Sequence, residues 1–247
     1  METNCNLKCE IGVNLLRSST LYAMIEHFTS NLEILNYTKT KTIILGFYDF
    51  LKKKYGIKCE IGMLFIEKML IENLLAKYNL EENNVLFCNK VEMYSFVKPQ
   101  YLKIEKCNNL SNIISEFKKM TIVNTPSVKI FFMMQAFKTI YKNNPKIEYD
   151  SVLGIVIYTF LKLKQKNIYS QIRLMKYFKR KYNGECIQNC CHGFSIDIKC
   201  NCLVSRDFNG EEEYYIITCE AACKFIEKIE YASLKIDKNE FLKEAKI

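Results

Sequence analysis

Apolar positions along the chain recur at the three- and four-residue spacing of amphipathic helices. Leu15, Leu16, Met24, Ile25 and Phe28 predict one helix, and Ile43, Ile44, Phe47, Phe50 and Leu51 a second. Ile61, Leu64, Phe65, Met69, Ile71, Leu74 and Leu75 predict a third, and Ile113, Ile114 and Phe117 a fourth. Pro126 then opens a helix through Val128, Phe131, Phe132, Met134, Ala136 and Ile140. Proline suits a first helical turn, where its missing N–H would have no partner. Val152, Ile155, Val156, Thr159, Phe160 and Leu163 form the next stripe, and Ile172, Leu174, Met175 and Phe178 follow Ser170. After an irregular Cys-rich stretch come Ala221, Ala222, Phe225, Ile226 and Ile229, then a short last helix over 241–247. The pattern predicts about nine helices. Strand-like alternation occurs only at 194–198, inside the irregular stretch. The expected fold class is all-α.

Composition narrows this further. Eight glycines and three prolines in 247 residues are too few for the tight turns of a sandwich, barrel or propeller. A hydrophobic content of 49% excludes collagen-like and disordered chains. The longest uncharged run, 151–161, falls short of the about 18 apolar residues that a membrane span takes. No basic segment leads into an apolar run at the start, so no signal peptide is expected. The length suits one domain or two small ones. Polar residues cluster at 79–84, which places a helical bundle over 1–83 and a second helical domain over 84–247. Lys8-Cys9-Glu10-Ile11-Gly12 returns as Lys58-Cys59-Glu60-Ile61-Gly62, but the flanks do not match and a duplication is not expected.

The net charge of +9 permits a nucleic acid, an anionic lipid or an acidic protein as partner. The lysines are spread along the chain and read first as solvated helix faces. Arg173, Lys176, Lys179, Arg180 and Lys181 include the aromatics Tyr177 and Phe178, a mixture that nucleic-acid binders use. Phe178 belongs with Leu174 and Met175 on an apolar face, however, and no nucleic acid is expected. His27 beside Phe28 reads as a partly buried structural residue.

Twelve cysteines are below the content of a disulfide scaffold, and free thiols are the default. Five of them fall between 186 and 202. Cys186, Cys190, Cys191, His192, Cys200 and Cys202 only approach the paired spacing of zinc sites. A structural zinc and free thiols in an insertion over about 184–209 both stay open.

Three stretches carry a resemblance. The first is Thr125-Pro126-Ser127-Val128-Lys129-Ile130, followed by Ala136 and Ile140. The second is Tyr149-Asp150-Ser151-Val152-Leu153-Gly154-Ile155-Val156-Ile157-Tyr158, continued in Ser170-Gln171-Ile172, Met175 and Phe178. The third is Gly210-Glu211-Glu212-Glu213-Tyr214-Tyr215-Ile216-Ile217, then Glu220-Ala221-Ala222 and Phe225-Ile226-Glu227. In this order they resemble the vacuolar protein sorting nine domain carried by the Rabex, RIN and alsin proteins, most firmly over 125–230. The resemblance implies a layered all-helical domain that is a guanine nucleotide exchange factor for Rab-five-like endosomal GTPases. The first 80 residues would stand as a buttressing helical bundle, by pattern and position alone. Gly154 replaces the family's Pro, Ser151 its second acidic residue, and Ile217 its Thr, with Thr218 one place later. The loop before Tyr214 is enlarged and holds the Cys cluster.

Asp150 then has two readings. As a helix N-cap its carboxylate would accept a backbone N–H, worth about 1 kcal/mol. As the resemblance implies, it is an acidic finger that pairs with the phosphate-loop Lys of the GTPase and repels Mg²⁺-bound β-phosphate. Tyr214 would contact the switch region, or else act as an aromatic staple before a helix. Thr218 would cap a helix beginning near Cys219. Gly154, Ile155, Tyr158, Gln171, Ile217 and Thr218 are the expected partner-binding positions. Exchange requires no cofactor. The implied location is cytoplasmic, peripheral to endosomal membranes, with the basic face near Arg173 a candidate contact for anionic lipid. The alternative is a non-catalytic binding module on the same fold.

Overall fold

The computed structural model describes residues 19–33, 37–56, 60–78, 84–104, 107–178 and 211–245. The Cys cluster, the alternating segment at 194–198, Lys179, Arg180, Lys181 and the first copy of the pentapeptide lie outside them. Every regular element among the described residues is helical. The chain is all-α, and its contacts divide it into two compact units.

The first unit, within Met1–Leu80 together with Asn124–Ser127 and Tyr177–Phe208, contains α1 (Ser19–Asn31), α2 (Tyr37–Lys54) and α3 (Glu60–Tyr78). Helix α3 is apolar nearly all round, as a central helix must be. Met63, Leu64, Ile66, Met69, Leu70, Ile71 and Leu74 are all buried, against α1 and α2. Its one buried acid, Glu67, accepts from the Ser127 backbone N–H at 2.6 Å and the Ser127 hydroxyl at 2.7 Å. Phe28 and Phe47 stack with parallel rings 3.7 Å apart. They line an open apolar groove of about 770 Å³ between α1 and α2. His27 is exposed on the rim of this groove rather than partly buried, with Asn31 3.3 Å from Nδ1.

The second unit contains α4 (Val85–Met93), α5 (Leu110–Ile122), α6 (Pro126–Asn143, from Val128 on), α7 (Tyr149–Leu163), α8 (Ile168–Phe178, to Lys176), α9 (Glu211–Lys228) and α10 (Lys238–Ala245). Helix α7 is its centre. Val152, Ile155, Val156, Ile157, Phe160 and Leu161 are at most 3% exposed. They pack against α9 along most of its length, and against α4, α5 and a 3-10 turn at Pro99–Leu102. Phe160 meets Phe117 of α5 edge to face at 5.4 Å, and Phe117 meets Phe137 of α6 at 5.9 Å. Such aromatic contacts add to the area they bury.

Two polar devices fix the layers. Lys129 is 2% exposed and donates to the Met120 carbonyl at 3.2 Å and Gln171 Oε1 at 3.0 Å. Gln171 Nε2 donates to the Thr121 carbonyl at 3.2 Å, so α5, α6 and α8 share one buried set of hydrogen bonds. A buried cation stays charged only with such partners. At the other end, α10 is held on the 3-10 turn. Lys98 pairs with Glu244 at 2.8 Å, Tyr101 donates to Glu240 at 2.5 Å, and Phe241 sits among Tyr94, Phe96 and Tyr231.

Three expectations are corrected. Helix α4 was not expected. Asn84, within the polar cluster read as a boundary, caps it by accepting from the Phe87 N–H at 3.1 Å. Thr218 caps nothing, because α9 begins seven residues earlier, at Glu211. Asp150 is not an N-cap either. Glu148 occupies that position, in extended conformation and without a side-chain bond, and Asp150 lies in the first turn.

Candidate functional site

The matched motifs meet where α7 and α9 begin. Acidic residues suit these positions, because the first turn of a helix carries unpaired N–H groups and a partial positive charge. Asp150 supplies that acid in α7, and Glu211, Glu212 and Glu213 supply it in α9. The two helices pack side by side and bring Tyr149 within 6.0 Å of Tyr214, ring to ring. Asp150 follows directly on Tyr149. It is exposed, and no hydrogen bond or ion pair holds it among the described residues.

Behind this exposed pair lies a buried aromatic support. Tyr215 is 7% exposed and stacks on Phe137 of α6 at 4.1 Å. Tyr141, one turn further along α6, has its ring 6.2 Å from that of Tyr215. Burial raises the Tyr141 phenol, and the nearby Tyr214, Tyr215 and Glu211 raise it further. Tyr215 is pushed up to about 12 by burial and by Glu211 and Tyr214. Both therefore keep their protons at neutral pH. Thr218 lies buried inside α9 and donates to the Tyr214 carbonyl at 2.9 Å, closing the turn that carries Tyr214.

The predicted residues thus fall into two sets. Asp150, Tyr214 and Ile217 are surface residues, and Ile217 is 50% exposed one turn after Tyr214. Gly154, Ile155, Gln171 and Thr218 are buried. Gly154 faces the 3-10 turn so closely that an added Cβ would stand 3.1 Å from the Leu102 carbonyl oxygen and 3.3 Å from Ile104 Cγ1. Tyr158 is half-buried, with Lys162 Nζ 5.3 Å from its ring centre. On α8, Leu174, Met175 and Phe178 are buried as expected, Arg173 is exposed, and Lys176 pairs with Glu220 at 2.7 Å. Sequence reasoning missed Tyr141, Tyr215 and Tyr149 as parts of the site. Tyr149 carried a signal, as a large aromatic residue directly before Asp150 in the second matched stretch. Tyr141 carried none, since it meets Tyr215 across more than seventy residues of chain.

No group of three or more potential metal ligands occurs among the described residues. No helix among them is long and apolar enough to cross a membrane.

Residues 110–231, from the start of α5 to the 3-10 turn after α9, match the Vacuolar sorting protein 9 (VPS9) domain. This is the domain of Rab guanine nucleotide exchange factors, and the chain carries it over those residues. Its general function is therefore of the nucleotide-exchange type, with Rab-type small GTPases as partners. No curated protein matches the chain.

Proposed function

We propose that this chain accelerates GDP release from a Rab-five-like endosomal GTPase. Asp150 serves as an acidic finger, and Tyr149, Tyr214 and Ile217 grip the switch surface. One observation carries the reading: an exposed carboxylate without a partner stands next to an exposed tyrosine pair, inside the matched domain. Both features are exposed and so accessible to a partner.

The chemistry is electrostatic. Exchange breaks no covalent bond; it needs a state in which the emptied nucleotide site is stabilised. A carboxylate placed about 4 Å from the phosphate-loop Lys, at an effective dielectric near 20, gains about 4 kcal/mol. Each 1.36 kcal/mol of differential stabilisation is about tenfold in rate. One well-placed Asp150 is therefore enough for an acceleration on the order of hundred- to thousand-fold. It also repels Mg²⁺-bound phosphate, which further disfavours the nucleotide. The apolar stripe of Tyr149, Tyr214 and Ile217 supplies contact area of the kind that transient interfaces bury.

The test is release of a fluorescent GDP analogue from a panel of purified Rab GTPases, with wild type and Asp150→Ala. Acceleration that disappears in the variant supports the finger and names the partner. Equal rates with both proteins would overturn it. A binding module without exchange is the second reading, favoured by Ser151, Gly154 and Ile217, which depart from the family motif. It predicts stable binding to the nucleotide-free GTPase with no acceleration by either protein. Arg173 on α8 would add a weak contact with anionic endosomal lipid, seen as liposome binding that falls with salt.

A further inference from the structure

We propose that the groove between α1 and α2 receives an amphipathic helix of a partner protein, one that carries acidic side chains about one turn beyond its apolar anchors. The inference stands apart from the exchange reading, since it uses neither α7 nor α9.

The groove follows from the pattern of α2. Ile43, Phe47, Phe50 and Lys54 succeed one another at four, three and four residues, and so share one face of the helix. Phe47 is held by its stack on Phe28 of α1. Ile43 and Phe50 line the same open space but are 40% and 48% exposed. From Ile43 to Phe50 the apolar stripe runs about 10 Å along the axis. That is the reach of anchors at i, i+3 and i+7 on a helix laid into a groove.

Charge marks one end of the stripe. Lys52, Lys53 and Lys54 close α2, and Lys53 and Lys54 are exposed. Lys54 Nζ lies 3.2 Å from the Met24 sulfur and 5.7 Å from the centre of the Phe50 ring. No ion pair among the described residues involves any of the three lysines. At the other end, after α1 has finished, Glu33 and Lys39 carry opposite signs, so the basic bias belongs to the Lys54 end. The complement is a helix that fills the groove with apolar side chains and sets carboxylates one turn further on, over Lys54. Burial of the anchors drives association. The exposed ion pairs fix direction and partner choice more than affinity. A bilayer fits the shape less well, because a flat surface would rest on the rim and leave the stacked rings of Phe28 and Phe47 uncovered.

The probe is a fluorescein-labelled, alanine-based peptide of about 18 residues, long enough to form a helix. It has leucines at i, i+3 and i+7 and glutamates in the turn before the first leucine. Two control peptides carry lysines in place of the glutamates, or serines in place of the leucines. Fluorescence anisotropy with the full chain reads binding. The glutamate peptide should bind about tenfold tighter than the lysine peptide, and the serine peptide should not bind. Phe50→Asp should abolish binding. Lys54→Glu should weaken the glutamate peptide and tighten the lysine peptide, a reversal that a damaged fold cannot produce. Both side chains are exposed, so both variants should keep the wild-type thermal midpoint. A glutamate peptide that binds no better than the serine control would overturn the proposal. So would Lys54→Glu binding both charged peptides as wild type does. Capture of wild type by phosphatidylserine vesicles, lost in Phe50→Asp and not competed by the glutamate peptide, would make the groove a lipid contact instead. A wild-type dimer in sedimentation that Phe50→Asp disperses would make it a contact between two copies of this chain, and would equally overturn the proposal.

Discussion

The bodies and the tips of α7 and α9 obey different rules. In the bodies, Val152, Ile155, Val156 and Phe160 of α7 and Tyr215, Ile216, Cys219, Ala222, Cys223 and Ile226 of α9 are all buried, and the two helices pack on each other. At the tips, Tyr149, Tyr214 and Ile217 are 40 to 50% exposed, beside an unpartnered carboxylate. The two regions adjoin on the same helices, Tyr214 directly before Tyr215 and Ile217 directly after Ile216. Burying the body residues is what holds the unit together. Leaving apolar side chains in water at the tips gains folding little, and the proposed exchange reading is what gives these residues a use. The two regions should therefore fail independently.

The largest effect belongs to the body. Phe160 is fully buried and joins α7 to Phe117 of α5. Phe160→Ala should cost about 3–5 kcal/mol through lost transfer energy and the cavity left behind. Urea denaturation measures this directly, and exchange should fall only as far as the folded fraction falls. Asp150→Ala is the reverse case. Exchange should drop by about 100-fold or more, equivalent to about 2.7 kcal/mol. Its stability should change by no more than the about 0.3–1 kcal/mol of a first-turn acid. A large stability loss in Asp150→Ala would join the tip to the body and end the distinction.

Gly154 sits on the border between them, one turn from Asp150. The structure places it under the Leu102 carbonyl and Ile104. The Leu102 carbonyl belongs to a 3-10 turn with its own hydrogen bonds, Tyr101 N–H to Lys98 and Ile104 N–H to Pro99, so it has little room to yield. Gly154→Val should destabilise by about 1–3 kcal/mol, the usual cost of overpacking. Exchange should fall with it by a smaller factor than in Asp150→Ala. Unchanged stability in this variant would mean that the turn moves freely over α7.

How much of this was legible in the sequence follows the same division. Helices α5 to α8 announced themselves because their buried residues repeat at helical spacing. Helix α4 did not. Its inward residues are only Phe87, Cys88 and Val91, while Val85, Leu86 and Met93 face outward and blur the period. Asn84 looked like part of a domain boundary, although a polar residue before an apolar run is also how a cap reads. The start of α9 was misplaced at Thr218 because a threonine before alanines suggests a cap. The truer signal was the run Glu211-Glu212-Glu213, acids gathered in a first turn. At the site, Asp150 and Tyr214 were found through motifs. Tyr141 was out of reach, since it joins the site through a tertiary contact with Tyr215 that no local pattern records.

The smallest expected effect tests how far the border reaches. Helix α10 holds the same 3-10 turn that presses on Gly154, and Lys98–Glu244 is its outermost pair. Lys98 lowers the Glu244 carboxyl below its ordinary value of 4.5, first by a hydrogen bond and then by charge. A group whose value is depressed on folding contributes stability above its ordinary range and loses it as pH falls through the depressed value. Lys98 is raised above its ordinary 10.5, so its own contribution is lost only in strong alkali. Between roughly pH 5 and 10 the pair should therefore be constant. Both side chains are substantially exposed, and salt should screen them. Glu244→Gln should lower the thermal midpoint slightly at pH 7, with the difference fading both in high salt and as the solution is acidified below pH 4. Exchange should stay at the wild-type rate. A matching loss of exchange would show that the C-terminal helix acts through the turn and α7 on the tip that carries Asp150.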